Sequence, residues 1–104
     1  EGSESVIDAD VVIIAFGFAP ELPAWASALG IEGTPNGRIV VGGAEPDGSG
    51  RLPYQTAHPR VFAGGDAVRG ADLVVTAVAE GRDAAQSIAE LLLAGSVERT
   101  PAAA

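Results

Sequence analysis

The stretch that decides the fold is Val61-Phe62-Ala63-Gly64-Gly65-Asp66, which follows Thr56 and precedes a long apolar segment. A short apolar run followed by glycines and a carboxylate is typical of a buried strand that ends in a tight turn. Ligands of open α/β sheets bind outside the carboxyl ends of strands, so the pattern predicts a ligand site at Asp66. Paired glycines would let a ligand and a helix approach the backbone closely. Turn chemistry alone is the alternative, with Asp66 capping a helix.

A long helix is predicted after this turn, from about Asp72 to Leu93. Its apolar or small residues recur at helical spacing, which predicts a stripe facing a sheet, with Glu80 off that stripe and Gly81 in close contact with the sheet. The first turn of such a helix carries unpaired N–H groups and positive partial charge. With Leu73 and Val75 as an apolar surface, this turn suits a flat heteroaromatic ligand. The stripe consists of positions 74, 77, 78, 81, 84, 85, 88, 91 and 92.

The remaining elements are shorter and are separated by glycine and proline signals. Apolar, β-branched runs predict strands, the first of them buried on both faces, and a glycine-capped segment predicts a short helix. The predicted strands are residues 11–15, 37–41 and 60–63; the helix is residues 22–29 and a loop covers residues 42–51. This order indicates an α/β protein, and a part of a nucleotide-binding domain rather than a whole one, since a complete doubly wound sheet has about five or six strands.

Composition excludes several classes of function. The chain has 104 residues, a formal net charge of −8 and no cysteine. This charge disfavours nucleic acid and anionic membrane as partners, and the missing thiols exclude disulfides and cysteine-ligated clusters within the chain. His58 alone predicts no metal site, and a loop position is its simpler interpretation. Without a basic and apolar leader or an initiator methionine, the sequence favours a cytoplasmic protein and a trimmed or fragmentary chain.

The run from Thr56 to Ala85 resembles the C-terminal FAD-binding motif of flavoproteins with two dinucleotide-binding domains, the pyridine nucleotide-disulfide oxidoreductase-like superfamily. Its sequence, through Glu80-Gly81-Arg82, is most similar to that of the small (β) subunit of glutamate synthase. The resemblance implies the C-terminal part of an FAD/NAD(P)-binding Rossmann-like domain, with a strand, loop and long helix that close the FAD domain. It also implies that Asp66 binds a hydroxyl of the FAD ribitol chain. The backbone from about Val75 to Ala77 would face the pyrimidine edge of the flavin.

A second element of the same family lies upstream. Ala15-Phe16-Gly17-Phe18-Ala19-Pro20 is similar to the segment that ends the NADPH-binding domain, although Phe16 stands where many relatives have threonine. The resemblance divides the chain into the end of the NAD(P)-binding domain with its crossover (1–20), the C-terminal part of the FAD-binding domain (21–95) and a frayed tail (96–104). The candidate cofactor-binding residues are Gly17, Pro20, Gly65, Asp66, Leu73, Val75, Thr76 and Ala77, and no catalytic or metal-ligating residue is predicted.

Missing family motifs are equally informative. The chain has neither G-x-G-x-x-G fingerprint, and the cysteine-rich region that would hold iron–sulfur clusters is also absent. The resemblance implies a longer enzyme that moves electrons from NADPH through FAD to a partner, such as a glutamate synthase large subunit. Related NADPH-linked flavoproteins, such as the equivalent part of dihydropyrimidine dehydrogenase, are alternatives. A non-catalytic structural or interaction module is the alternative for the isolated chain. For Arg69, contact with a flavin phosphate or a cluster domain and a surface or capping role both stay open.

Overall fold

The computed structural model describes residues 2–43 and 48–97, and its helices are α1 (Ala24–Ala28), α2 (Asp66–Arg69) and α3 (Val74–Val97). Within these ranges strand pairing is limited to isolated bridges. Gly33 pairs with Ile39 and Gln55 with Phe62 in antiparallel fashion, while Gly42 pairs with Pro53 in parallel fashion. Helices and hydrogen-bonded turns therefore organise the described part of the chain.

Helix α1 is shorter than the predicted helix over residues 22–29. Pro23 precedes it with an extended ψ of 145°, and the positive φ of 70° at Gly30 turns the chain away after it. The N–H of Ile31 closes the helix end by donating to the carbonyl of Ala26 at 2.9 Å. The side chains of Ala26 and Ile31 are buried, and together with Ala84 they form the apolar core of the described residues.

The predicted strand over residues 11–15 is wrong for this chain. The segment has no strand pairing, and Ile13 is 84% exposed instead of buried on both faces. A strand needs a neighbouring strand to pair with its backbone groups, and no described segment lies beside this one. The other predicted strands are reduced in the same way, to single bridges at Ile39 and Phe62.

The buried face of α3 differs from the predicted stripe. Glu80, Ala84 and Ser87 are buried, whereas Val74, Val78 and Leu92 of the predicted stripe are exposed. A Cβ placed on Gly81 would meet no atom within 4 Å, so this glycine makes no close contact. The prediction followed hydrophobicity alone, but the face that packs here is narrow and satisfies its polar side chains by hydrogen bonds.

The C-terminal boundary also differs from the prediction. Helix α3 continues through Val97, beyond the predicted start of the tail at residue 96. The rest of that tail, residues 98–104, and residues 44–47 of the predicted loop lie outside the described residues. Across the described ranges, no helix is both long enough and apolar enough to cross a membrane.

Candidate cofactor site

A cavity of about 440 Å³ lies between residues 17–23 and residues 66–71. Small and apolar residues dominate its lining, and the carboxylates of Glu21 and Asp66 are its charged groups. The lining residues are Gly17, Phe18, Ala19, Pro20, Glu21, Pro23, Gly37, Ile39, Asp66, Ala67 and Ala71. Three predicted site residues thus border the same cavity, and Asp66 is far in sequence from Gly17 and Pro20.

Two backbone contacts hold the walls of this cavity together. The N–H of Ile39 donates to the carbonyl of Ala67 at 2.8 Å, which fixes the segment around residue 38 to α2. Gly37 has a φ of 76°, and a Cβ on it would lie 2.1 Å from the carbonyl oxygen of Pro20. Only a residue without a side chain allows this approach, so Gly37 determines how closely residues 20–21 pack.

Gly65 forms the turn that presents Asp66. Its φ of 65° and ψ of −146° belong to a region that is almost exclusive to glycine. A Cβ at this position would lie 3.2 Å from the Cβ of Ala77 on α3. The turn and the start of α3 therefore pack closely, and the predicted pair Gly65 and Ala77 is in contact range.

Asp66 is the first residue of α2 rather than its cap. Gly65 occupies the N-cap position, and no side-chain hydrogen bond caps this helix. The Asp66 residue is exposed, and within the described residues its carboxylate has no hydrogen-bond or ion-pair partner. Within the described residues Asp66 therefore makes no side-chain cap, and its carboxylate can accept a hydrogen bond from a ligand.

The start of α3 leaves backbone donors available. The N–H groups of Thr76 and Ala77 both donate to the carbonyl of Leu73, at 3.0 and 3.2 Å. For the N–H groups of Val74 and Val75, residues 2–43 and 48–97 supply no acceptor. These donors, with the positive end of the helix dipole, can stabilise an electron-rich oxygen.

The predicted residues of α3 are distributed unevenly around the site. An open groove beside the cavity is bordered by Gly65, Asp66 and Ala77. Leu73, just before α3, and Val75 and Thr76 in its first turn border neither this groove nor the cavity, and Leu73 and Val75 are exposed. Asp66 is thus the residue common to both concave surfaces.

A buried carboxylate binds the turn that presents Asp66. Glu80 of α3 is 5% exposed, and its Oε2 accepts a hydrogen bond from the N–H of Gly65 at 2.6 Å. Its Oε1 accepts from Arg69, from Nε at 2.9 Å and also from Nη2. The hydrogen bond and the negative charge of Glu80 raise the pKa of the Arg69 guanidinium, which stays positively charged. The Nε of Arg69 also lies 3.5 Å from Oδ2 of Asp72.

Hydrophobic periodicity in the sequence does not reveal the role of Glu80. A charged residue at a buried helical position breaks a hydrophobic stripe, and hydrophobic periodicity therefore assigns it to the solvent side. The available signal was its helical spacing from Ala77 and Ala84, which places all three side chains on one face. Among the described residues, no group of His, Cys, Asp or Glu side chains is suited to holding a metal ion.

Residues 1–81 match the family model described as pyridine nucleotide-disulphide oxidoreductase. The match covers most of the chain, and the protein therefore belongs to this family of oxidoreductases. Membership implies a Rossmann-like α/β fold and the binding of flavin and nicotinamide dinucleotides. The predicted resemblance is confirmed at this level.

Curated relatives refine the position within the family. The chain is 51% identical over 87 residues to the glutamate synthase [NADPH] small chain of Escherichia coli (strain K12), covering 84% of this chain and 17% of the relative. It is 52% identical over 98 residues to AegA of the same organism, a provisionally named oxidoreductase, covering 94% of this chain and 14% of the relative. A glutamate synthase [NADPH] small chain of Halomonas elongata is 48% identical over 91 residues, covering 88% and 18%.

The chain therefore spans less than a fifth of the length of these relatives. No solved structure matches it significantly.

Proposed function

We propose that this chain is the FAD-binding segment of a longer NADPH-dependent flavin oxidoreductase, most like the small chain of glutamate synthase. The observation that carries the proposal is the cavity that Asp66 borders together with Gly17 and Pro20. Its lining of small and apolar residues leaves room for an extended ligand, and the exposed carboxylate of Asp66 can accept a hydrogen bond from a hydroxyl group. Both features fit the ribitol chain of FAD.

Each part of the site has a distinct task in this proposal. Asp66 accepts a charge-assisted hydrogen bond from a ribitol hydroxyl. The unpaired N–H groups at the start of α3 favour the electron-rich pyrimidine edge of the flavin, beside Leu73, Val75, Thr76 and Ala77. Gly65 keeps the turn free of a side chain that would separate Asp66 from the helix.

FAD, when bound, supplies the redox chemistry by accepting a hydride from NADPH and releasing electrons to an acceptor. The residues of this chain bind and orient the cofactor, and we assign none of them a proton-transfer or nucleophilic role. The NADPH site and any iron–sulfur clusters would lie in other parts of the longer protein. Gly17 and Pro20 would mark the crossover from the NADPH-binding domain.

The acceptor of the electrons is a finer part of the proposal. Relatives named glutamate synthase small chain favour transfer toward glutamate synthesis, with a large subunit as partner. The provisionally named oxidoreductase AegA is as similar, so a different acceptor is the alternative within the same reaction class. For either acceptor we propose a cytoplasmic flavoprotein.

The test is FAD binding by Asp66→Ala in the intact flavoprotein. Losing a hydrogen bond to a charged group costs about 1.5–3 kcal/mol, which corresponds to roughly 10- to 150-fold weaker binding. Asp83→Asn is the matched control, because Asp83 is an exposed carboxylate of α3 that borders neither the cavity nor the groove. Equal FAD dissociation constants for Asp66→Ala and wild type would refute the assigned role.

A second candidate applies to the isolated chain, which could serve as a structural or interaction module. The exposed apolar run from Val11 to Ile14 favours this, since such surfaces mark interaction sites. An FAD titration of the 104-residue chain separates the candidates. Tight flavin binding would contradict the module, whereas no binding would leave cofactor binding to the longer protein.

A further inference from the structure

Glu80 is a buried carboxylate to which the proposed cofactor chemistry gives no task. Burying a carboxylate is costly unless hydrogen bonds satisfy it, and here both oxygens have partners. One partner is the N–H of Gly65, in the turn that presents Asp66, and the other is Arg69, at the end of α2. Glu80 thus binds the residue before Asp66 and the last residue of the helix that Asp66 begins.

Close packing supports the same connection. A Cβ on Gly64 would lie 3.3 Å from the Cβ of Glu80, and one on Gly65 would lie 3.2 Å from Ala77. The two glycines allow α3 to approach the turn closely enough for the Glu80 carboxylate to reach the Gly65 N–H. Gly65 itself would be flexible without this bond, because glycine has access to more backbone conformations than any other residue.

We propose that Glu80 is a positioning residue for the FAD site. By binding Gly65 and Arg69 at once, it fixes the Asp66 carboxylate relative to the start of α3, so that both groups can engage one cofactor. The inference rests on the proposed function. A site that is already ordered spares the cofactor the conformational entropy of ordering the turn.

Arg69 has a defined part in this arrangement. Its guanidinium donates to Glu80 and lies near Asp72, and its side chain remains about half exposed. The carboxylates of Glu80 and Asp72 neutralise the positive charge of Arg69, which would otherwise attract a flavin phosphate. We therefore place Arg69 among the groups that hold the turn, rather than among those that touch the cofactor.

The experiment compares FAD dissociation constants of the intact flavoprotein carrying Glu80→Ala, Glu80→Gln or Arg69→Gln. If the turn of Glu80→Ala keeps its binding conformation in about one molecule in ten, the dissociation constant rises about tenfold. Arg69→Gln, a change at a half-exposed side chain that should not prevent folding, is expected to weaken binding by about threefold. Glu80→Gln retains an acceptor for the Gly65 N–H and should recover most of the affinity.

Glu90→Gln is the control, since Glu90 is an exposed carboxylate of the same helix. The FAD-induced rise in Tm is measured alongside, because a purely structural role would lower the Tm of apo and FAD-bound protein equally. Wild-type affinity in both Glu80→Ala and Arg69→Gln would overturn the inference, as would Glu80→Gln binding as weakly as Glu80→Ala. If Glu80→Ala does not fold, the FAD dissociation constant of Arg69→Gln decides whether the inference holds.

Asp66→Ala serves as the reference in the same series. Normal FAD binding by Asp66→Ala would refute the proposed function itself. Weak binding by Asp66→Ala beside normal binding by Glu80→Ala and Arg69→Gln would refute only the positioning role of Glu80.

Discussion

Two regions of the molecule differ in how far they bury their side chains. The packed region consists of residues 20–43 and 48–70, which backbone hydrogen bonds hold together, and of the inner face of α3, which carries Glu80, Ala84 and Ser87. It buries even polar groups such as Thr56 and Glu80. The open region, residues 2–16 with the outer face of α3, is richer in large apolar side chains and leaves them exposed. Hydrophobicity therefore shows what a segment can bury, whereas burial itself depends on the neighbours that the segment has.

The largest effect should come from introducing the same charge into each region. Ala26 in α1 is 0% exposed, so Ala26→Asp would bury an unpaired carboxylate and cost about 3–5 kcal/mol. Ile13→Asp, at an exposed site of the open region, should change the free energy of unfolding by less than about 0.5 kcal/mol. Urea unfolding of the 104-residue chain, followed by fluorescence of its single tryptophan, measures both.

In the longer flavoprotein that we propose, the result for Ile13 should reverse. There we expect the run around Ile13 to be buried in a sheet, so Ile13→Asp should destabilise that protein by several kcal/mol. An equally small effect in the intact protein would show that the open region stays exposed, and would favour the interaction module.

A smaller effect is expected at a glycine that the packed region requires. Gly37→Ala would place a Cβ against the carbonyl of Pro20, whereas Gly50→Ala meets no atom within 4 Å. The backbones are matched, with φ of 76° and 73°, so both variants carry a similar cost of about 1–2 kcal/mol for a left-handed conformation.

The difference between these variants isolates the contact with Pro20. Gly37→Ala should be less stable by a further 1–3 kcal/mol, roughly the cost of overpacking. Differential scanning calorimetry would measure this difference. Equal stabilities would mean that residues 20–21 do not pack on Gly37, and that the cavity beside Asp66 is wider than described.

The contrast between the regions also explains what the sequence could predict. Short-range chemistry placed α1, the turn at Gly65 and the start of α3, since glycine conformations and helix signals act within a few residues. The cavity at Gly17, Pro20 and Asp66 could be anticipated only from the resemblance to a family, because its walls come from distant segments. The strand at residues 11–15 could not be judged from its own sequence, since its burial requires partners. Glu80 was missed because a buried charge contradicts hydrophobic patterning unless its partners are known.

The smallest expected effect concerns Tyr54, which lies where the packed region meets α3. Burial, followed by the negative charges of Glu80 and Asp83, raises the pKa of the Tyr54 phenol above its ordinary value, and Arg69 opposes this. The neutral phenol is therefore favoured in the folded state. Its contribution to stability is complete below the unfolded pKa, near 10, and is lost as the pH rises through the higher folded pKa. The loss should be under about 1 kcal/mol, because solvent screens charges near the surface.

Tyr54 can be measured directly, since the sequence contains one tyrosine and the ultraviolet absorbance of ionised phenol reports it alone. Asp83→Asn should lower the pKa of Tyr54 by removing a negative charge, whereas Glu90→Gln, which is not among the causes of the shift, should leave it unchanged. Tyr54→Phe should remove this part of the alkaline loss of stability. An unshifted phenol would mean that Tyr54 does not pack on the inner face of α3.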